Sequence, residues 1–162
     1  MLMVNDAFDH LSLFEGLNPA QKDLLMQLFT PCEFLADTMI FAQGDPADYL
    51  YVVVEGEVIV SFKPDDGPPI TVTRVQPGGV VGWSAALGSR AYTSAGICTT
   101  DVQMLRVRGT DLRNLCEKHP DTGLLILDRL ANIIAERLRN THDQVVALLE
   151  TGLRNGVHST GG

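Results

Sequence analysis

The sequence predicts a mainly β domain flanked by helices, with the strands in a sandwich or barrel. Three observations predict it. A valine- and aromatic-rich block from Met39 to Trp83 is broken by turn residues at a spacing of roughly 8–12 residues. Before it, Asn18-Pro19 opens a helical pattern. After it, a second helical pattern starts at Thr110 and continues past Pro120 into the longest periodic stretch of the chain.

In "GLNPAQKDLLMQLF", Asn18 is the expected N-cap and Pro19 the first helical residue, with Leu24, Leu25 and Leu28 on one apolar face. The β-rich block breaks at Gly44-Asp45-Pro46, Glu55-Gly56-Glu57, Asp65-Asp66-Gly67-Pro68-Pro69 and Pro77-Gly78-Gly79. Asp65-Asp66 precedes Gly67 and reads as turn chemistry, not as a catalytic pair. Glu55 and Glu57 flank a hairpin glycine and are expected in solvent. Two more strand-like runs follow, around Tyr92–Cys98 and Val102–Val107. "TDLRNLCEKH" predicts a short helix capped by Thr110, with Leu112, Leu115 and Cys116 turned inward. Pro120 ends that helix and opens the next.

The last helix is expected from about Asp121 to Glu150, about 45 Å at 1.5 Å per residue. Leu127, Ala131, Ile134, Leu138, Thr141, Val145 and Leu148 fall at alternating steps of four and three, the heptad spacing. Leu124, Leu130 and Ile133 lie on another side and are expected to pack on the β-domain. A helix with two apolar faces needs two partners, so a homodimer is expected through the heptad stripe. The domain is expected to span 1–150, with 151–162 a flexible tail.

Composition excludes several classes. The 162 residues suit one domain, and 45% hydrophobic content is globular. A net charge of −8 argues against nucleic acid and against anionic lipid. No apolar run approaches the roughly 20 residues of a membrane span, and the first residues lack an export signal, so a cytoplasmic location is expected. Cys32, Cys98 and Cys116 are widely spaced and read as reduced thiols. His10, His119, His142 and His158 are scattered, with none in the β-rich region, so a metal-dependent enzyme on a barrel is not supported. No nucleophile elbow is present, and a non-enzyme is expected.

"GWSAALGSRAYTSA", from Gly82 to Ala95, places one cation among small residues. Small residues let backbone N–H groups approach an anion, and an arginine can then grip it with two parallel bonds.

The order of helix, β-rich block, short helix and long helix, together with "LFEGLNPAQKDLLMQL", "IFAQGDPADYLYVVVEGEVIV" and "PGGVVGWSAALGSRAYTSA", resembles the cyclic-nucleotide-binding domain family over roughly Phe14 to Leu149. The resemblance implies a β-roll of the double-stranded β-helix, jelly-roll-like kind, with a short N-terminal helix and a long C-terminal dimerisation helix. The third stretch sits where the family keeps its phosphate-binding cassette. Gly82 matches the cassette glycine, Arg90 the arginine that clamps the cyclic phosphate, and Ala91 the small residue after it. Ser84 and Ala85 match positions whose backbone N–H groups line the pocket. Thr141 falls where related transcription factors touch the purine, and His142 lies beside it.

Trp83 departs from the pattern, which commonly has glutamate there to accept bonds from the ribose hydroxyl. An indole only donates. The lost charge-assisted bond is worth about 1.5–3 kcal/mol. Two readings stay open. One is a regulatory or sensor domain that binds a small anionic ligand, a cyclic nucleotide among the candidates, and signals through the dimer helix. The other is a degenerate, non-binding roll that acts as a dimeric protein-interaction scaffold. No further cofactor is implied. The residues after the long helix are too few for a helix-turn-helix, so direct DNA binding is not expected.

Overall fold

The computed structural model describes residues 10–160. Side chains are described as far as Arg137 and, beyond it, at residues 139, 143, 146, 147, 149 and 150. A 3-10 turn, Ser12–Phe14, precedes α1, Pro19–Leu28. Asn18 caps α1 as expected. Its side chain accepts from the Gln21 N–H at 2.8 Å, and the Gln21 side chain accepts from the Asn18 N–H at 3.1 Å. Leu25 is buried, with Leu24 and Leu28 packed beside it.

Among the described residues eight strands follow: β1 (Thr30–Phe34), β2 (Met39–Phe41), β3 (Tyr49–Glu55), β4 (Val58–Phe62), β5 (Ile70–Val75), β6 (Val80–Val81), β7 (Ala95–Cys98) and β8 (Val102–Arg108). They form two antiparallel four-stranded sheets, in the orders β1-β8-β3-β6 and β2-β7-β4-β5. This is the expected β-roll. β1 is an addition to the sequence reading, in which Pro31 and Glu33 hide it. It lies at a sheet edge, paired only with β8, where a proline is tolerated.

The turn at Gly56 is not a hairpin, because β3 and β4 belong to different sheets. Gly56 turns the corner at φ +93°, where an added Cβ would collide with the Asp101 backbone and the Val102 side chain. Glu57 beside it is not simply solvated. Its carboxylate accepts from Thr99 Oγ1 at 2.8 Å, from Arg74 Nη1 at 2.8 Å and from the Gln76 side-chain amide. These bonds, that of Thr99 foremost, hold the carboxyl below its ordinary range.

The first sheet carries core on both faces. Leu50, Val52, Val80, Leu105 and Val107 meet Phe14, Phe29, Leu112, Ile126 and Leu130 on the helical side. Tyr51, Val53, Val81 and Met104 alternate with them and meet Phe41, Val58, Val60 and Tyr92 between the sheets. Cys32, Cys98 and Cys116 are unbridged, and burial pushes the Cys32 thiol up to about 11.

Two helices close the roll: α2, Gly109–Lys118, and α3, Pro120–Thr160. Thr110 does not cap α2. The cap position lies two residues earlier, at Arg108, with no side-chain bond there, and the helix begins at Gly109. α3 runs past the expected end at Glu150 to Thr160. Leu149, Leu153 and Val157 recur at helical spacing and no proline intervenes. Leu130 is buried and Ile133 packs on the core, as expected. Leu124 does not: it is 70% exposed, and Ile126 takes the buried place. The two lie two positions apart, on opposite sides of the helix. Of the heptad stripe, Leu127 and Ala131 are exposed and Ile134 leans on the core. The side chains of Leu138, Thr141, Val145 and Leu148 lie outside the described residues.

Candidate functional site

β6 ends at Val81 and the chain turns at Gly82, at φ +74°. A Cβ there would press on the Tyr49 carbonyl oxygen at 2.9 Å and on the Tyr92 ring at 3.1 Å. Glycine supplies both the left-handed backbone and the close approach. A 3-10 turn, Trp83–Ala85, follows. Local bonds hold it: Ala85 N–H donates to Gly82 O at 3.1 Å, Ala86 N–H to Trp83 O at 3.0 Å, and Leu87 and Ser89 N–H to Ser84 O at 3.2 and 3.1 Å. Ala85 is fully buried, and its carbonyl accepts from Arg113 Nη1 of α2 at 2.6 Å. Ala85, expected to offer its N–H to a ligand, has that N–H bonded to Gly82 O and is not in the lining of the hollow beside the turn.

Beside this turn lies a hollow of about 10 Å³, room for about one water molecule. Gly82, Trp83 and Ser84 line one side. Phe41, Val60, Tyr92, Thr93, Ser94 and Arg137 complete it. Its size has a plain cause. Tyr92 stacks on Phe41 with centroids 4.0 Å apart and planes at 23°, and Phe41 stacks on Tyr51 at 6.1 Å. The Tyr92 hydroxyl donates to Tyr49 O at 2.6 Å and accepts from Tyr49 N–H at 3.0 Å. Burial above all, with the Asp48 and Asp45 carboxylates adding to it, pushes the Tyr92 phenol up, so it keeps its proton. Burial also pushes Tyr51 up to about 12. The guanidiniums of Arg106 and Arg108 lie 4.5 and 5.2 Å from the Tyr49 ring centre.

Gly82, Trp83 and Ser84 thus meet at the hollow. Arg90 does not line it. Arg90 is exposed, with its carbonyl accepting from the Ala47 N–H at 3.0 Å. Ala91 bridges to Pro46. Tyr92, two residues on, turns inward and is fixed by backbone bonds to Gly44 and Asp45 at 2.9 Å each. Burying a ring is favourable, whereas burying a guanidinium carries a desolvation penalty. Trp83 is half-buried. It walls the hollow and packs on the helix-side core, while Phe41 and Tyr92 fill the space between the sheets. The side chains of Thr141 and His142 lie outside the described residues.

The cation at the hollow is Arg137 of α3, whose Nη1 donates to Val80 O at 3.0 Å. Burial pulls its pKa down, yet an arginine stays charged. Sequence reasoning missed Phe41, Val60, Tyr92, Arg113 and Arg137. One available signal pointed to Arg137: it precedes Thr141 by four residues, one turn along the same helix face.

A glycine-turned loop closed over a β-roll, with a long helix leaning on it, defines a class of regulatory domain. Residues 31–119, more than half of the chain, match the cyclic nucleotide-binding domain family, and the chain belongs to that family. The CRP-like cAMP-activated global transcriptional regulator of Mycobacterium tuberculosis is 26% identical over 139 residues, 86% of this chain and 60% of that protein. The cyclic AMP receptor protein of Thermus thermophilus is 28% identical over 145 residues, 90% of this chain and 65% of that protein. A cyclic nucleotide-binding domain from Methylobacillus flagellatus shares the fold with a TM-score of 0.76 at 20% identity, over 88% of this chain and 80% of that domain. The chain spans less than two thirds of the length of the two regulators.

Proposed function

We propose that this chain is a regulatory interaction module, with a hollow closed by its own side chains and α3 as its working surface. The observation that carries this reading is the size of the hollow, about 10 Å³. Small-molecule sites occupy roughly 300–1,000 Å³. Admitting a nucleotide requires parting the Phe41–Tyr92 stack and breaking the bonds from Tyr92 to Tyr49. The cassette cation expected to compensate, Arg90, is exposed and outside the lining. Trp83 adds no acceptor for a sugar hydroxyl.

Exposed Leu124, Leu127 and Ala131 on α3 support pairing with a second copy through the heptad stripe. The module acts by contact, without catalysis. We place it in the cytoplasm. No described helix is long and apolar enough to cross a membrane.

One observation favours a second reading, a sensor of a small anion. Arg137 reaches the hollow beside Ser84, Thr93 and Ser94. An anion held there would touch α3 directly, and its occupancy would shift the helix population. Native mass spectrometry of the intact chain tests the first reading. The expected result is a ligand-free dimer that Leu127→Glu converts to a monomer with unchanged circular dichroism. A co-purified nucleotide mass, or a wild-type monomer at every concentration, contradicts it.

A further inference from the structure

β8 carries two arginines near its end, Arg106 and Arg108. They alternate with Leu105 and Val107, which face the helices, so both point to the opposite face, between the sheets. The register sets Arg106 opposite Tyr51 and Arg108 opposite Tyr49. The core between the sheets therefore ends in a pair of cations. Their guanidinium carbons lie 4.5 and 5.2 Å from the centre of one ring, that of Tyr49.

Two like charges over one ring repel each other. Among the described residues neither guanidinium has a carboxylate in ion-pair range, whereas Arg74 and Arg129 each do. The titratable groups beside Arg106 are neutral. Burial pushes the Tyr51 phenol up to about 12 and the Cys32 thiol up to about 11. Arg106 donates to the Tyr51 hydroxyl, yet its Nε is buried without a hydrogen-bond partner. A buried donor that lacks an acceptor is costly. Arg108 is exposed, so the pair is reachable from solvent.

We propose that Arg106 and Arg108 bind a phosphomonoester dianion at the Tyr49 end of the roll. Three features select that ligand. Two guanidiniums carry two positive charges, which a phosphomonoester matches at neutral pH with a charge of about −1.5 to −2. Their planar forks present parallel N–H donors, the geometry that phosphate oxygens accept. The Tyr49 ring holds both forks before the anion arrives, and the Tyr92 hydroxyl pins the Tyr49 backbone on both its N–H and its carbonyl. A cyclic nucleotide is a diester with one charge per phosphate and matches the pair poorly. The site shares no residue with the lining of the cassette hollow. On a chain of net charge −8 the long-range field repels anions, so only a ligand that touches both guanidiniums is held.

Inorganic phosphate, titrated into the intact chain at neutral pH and fixed ionic strength, tests this by NMR of the arginine Nε–H groups. Saturable shifts at Arg106 and Arg108 are expected, with the amides of residues 49–51 and 104–108 following. Dimethyl phosphate, with a single charge, should bind about tenfold more weakly or worse. Arg108→Gln, at an exposed side chain, should weaken phosphate binding by about tenfold or more with unchanged circular dichroism. Arg106→Lys, which keeps the charge and loses the fork, should weaken it as well. A short phosphoserine peptide separates the sources of the phosphate group. Binding tighter than that of inorganic phosphate assigns the site to a phosphorylated partner, and equal or weaker binding assigns it to a free phosphate. No saturable shift, equal binding of dimethyl phosphate, or unchanged binding by Arg108→Gln would overturn the proposal. Shifts at Thr93 and Ser94 in place of these would put the anion in the cassette hollow and overturn it as well. Nucleotide binding at the hollow, measured separately, would defeat the functional reading and leave these results intact.

Discussion

Gly82 ties the loop to the aromatic core, because its backbone is left-handed and its missing side chain is where Tyr49 and Tyr92 approach. Gly82→Ala should lower stability by about 1–2 kcal/mol for the backbone alone, with contact strain adding to it, as read by urea unfolding. Glu57 makes a pH-dependent contribution. Its folded pKa lies below the unfolded 4.5. The stabilisation is full above 4.5 and is lost as pH falls through the lower folded value. Wild type should therefore exceed Glu57→Gln in melting temperature at pH 7, and the gap should close in acid. A gap that is constant from pH 7 to pH 3 would exclude the carboxylate as its source. At this scale the sequence was only partly legible. Gly82, Trp83 and Ser84 were found at the hollow, because the glycine-punctuated pattern fixes the turn. Arg90 was expected there and Tyr92 arrived instead. Which of two nearby loop residues turns inward depends on Phe41 and Tyr49, distant in sequence and brought close only by the sheets.

Two arginines fasten the loop to the helices: Arg113 of α2 to Ala85 O, and Arg137 of α3 to Val80 O. They flank Gly82, so a displacement of either helix pulls on the same short segment. Arg113→Ala should raise hydrogen exchange at the Leu87, Gly88 and Ser89 amides several-fold while global unfolding moves little. Unchanged exchange there would mean that the loop holds itself. Element order, the cap at Asn18, the helix break at Pro120, and most strands were legible from period and turn residues. β1 was not, since Pro31 and Glu33 disguise an edge strand. Thr110 misled because a cap depends on where the preceding strand ends, and β8 runs on to Arg108. The inward face of α3 was misread by two residues at Leu124, a small error in a sequence with apolar residues on several sides.

Across the whole molecule, one sheet serves two cores, and among the described residues the hollow at the cassette turn measures about 10 Å³. The family and its roll were legible from motif order. The closure of the hollow was not, because it depends on side-chain packing across two sheets and one helix. An acidic roll with exposed apolar residues on its long helix is suited to contact. Isothermal titration of the intact chain with cyclic AMP, cyclic GMP and cyclic di-GMP tests this most directly. No saturable heat up to about 1 mM, a limit near −4 kcal/mol of binding free energy, is the expected result. Stoichiometric binding in the micromolar range, abolished by Arg137→Ala, would contradict it and establish a ligand sensor instead.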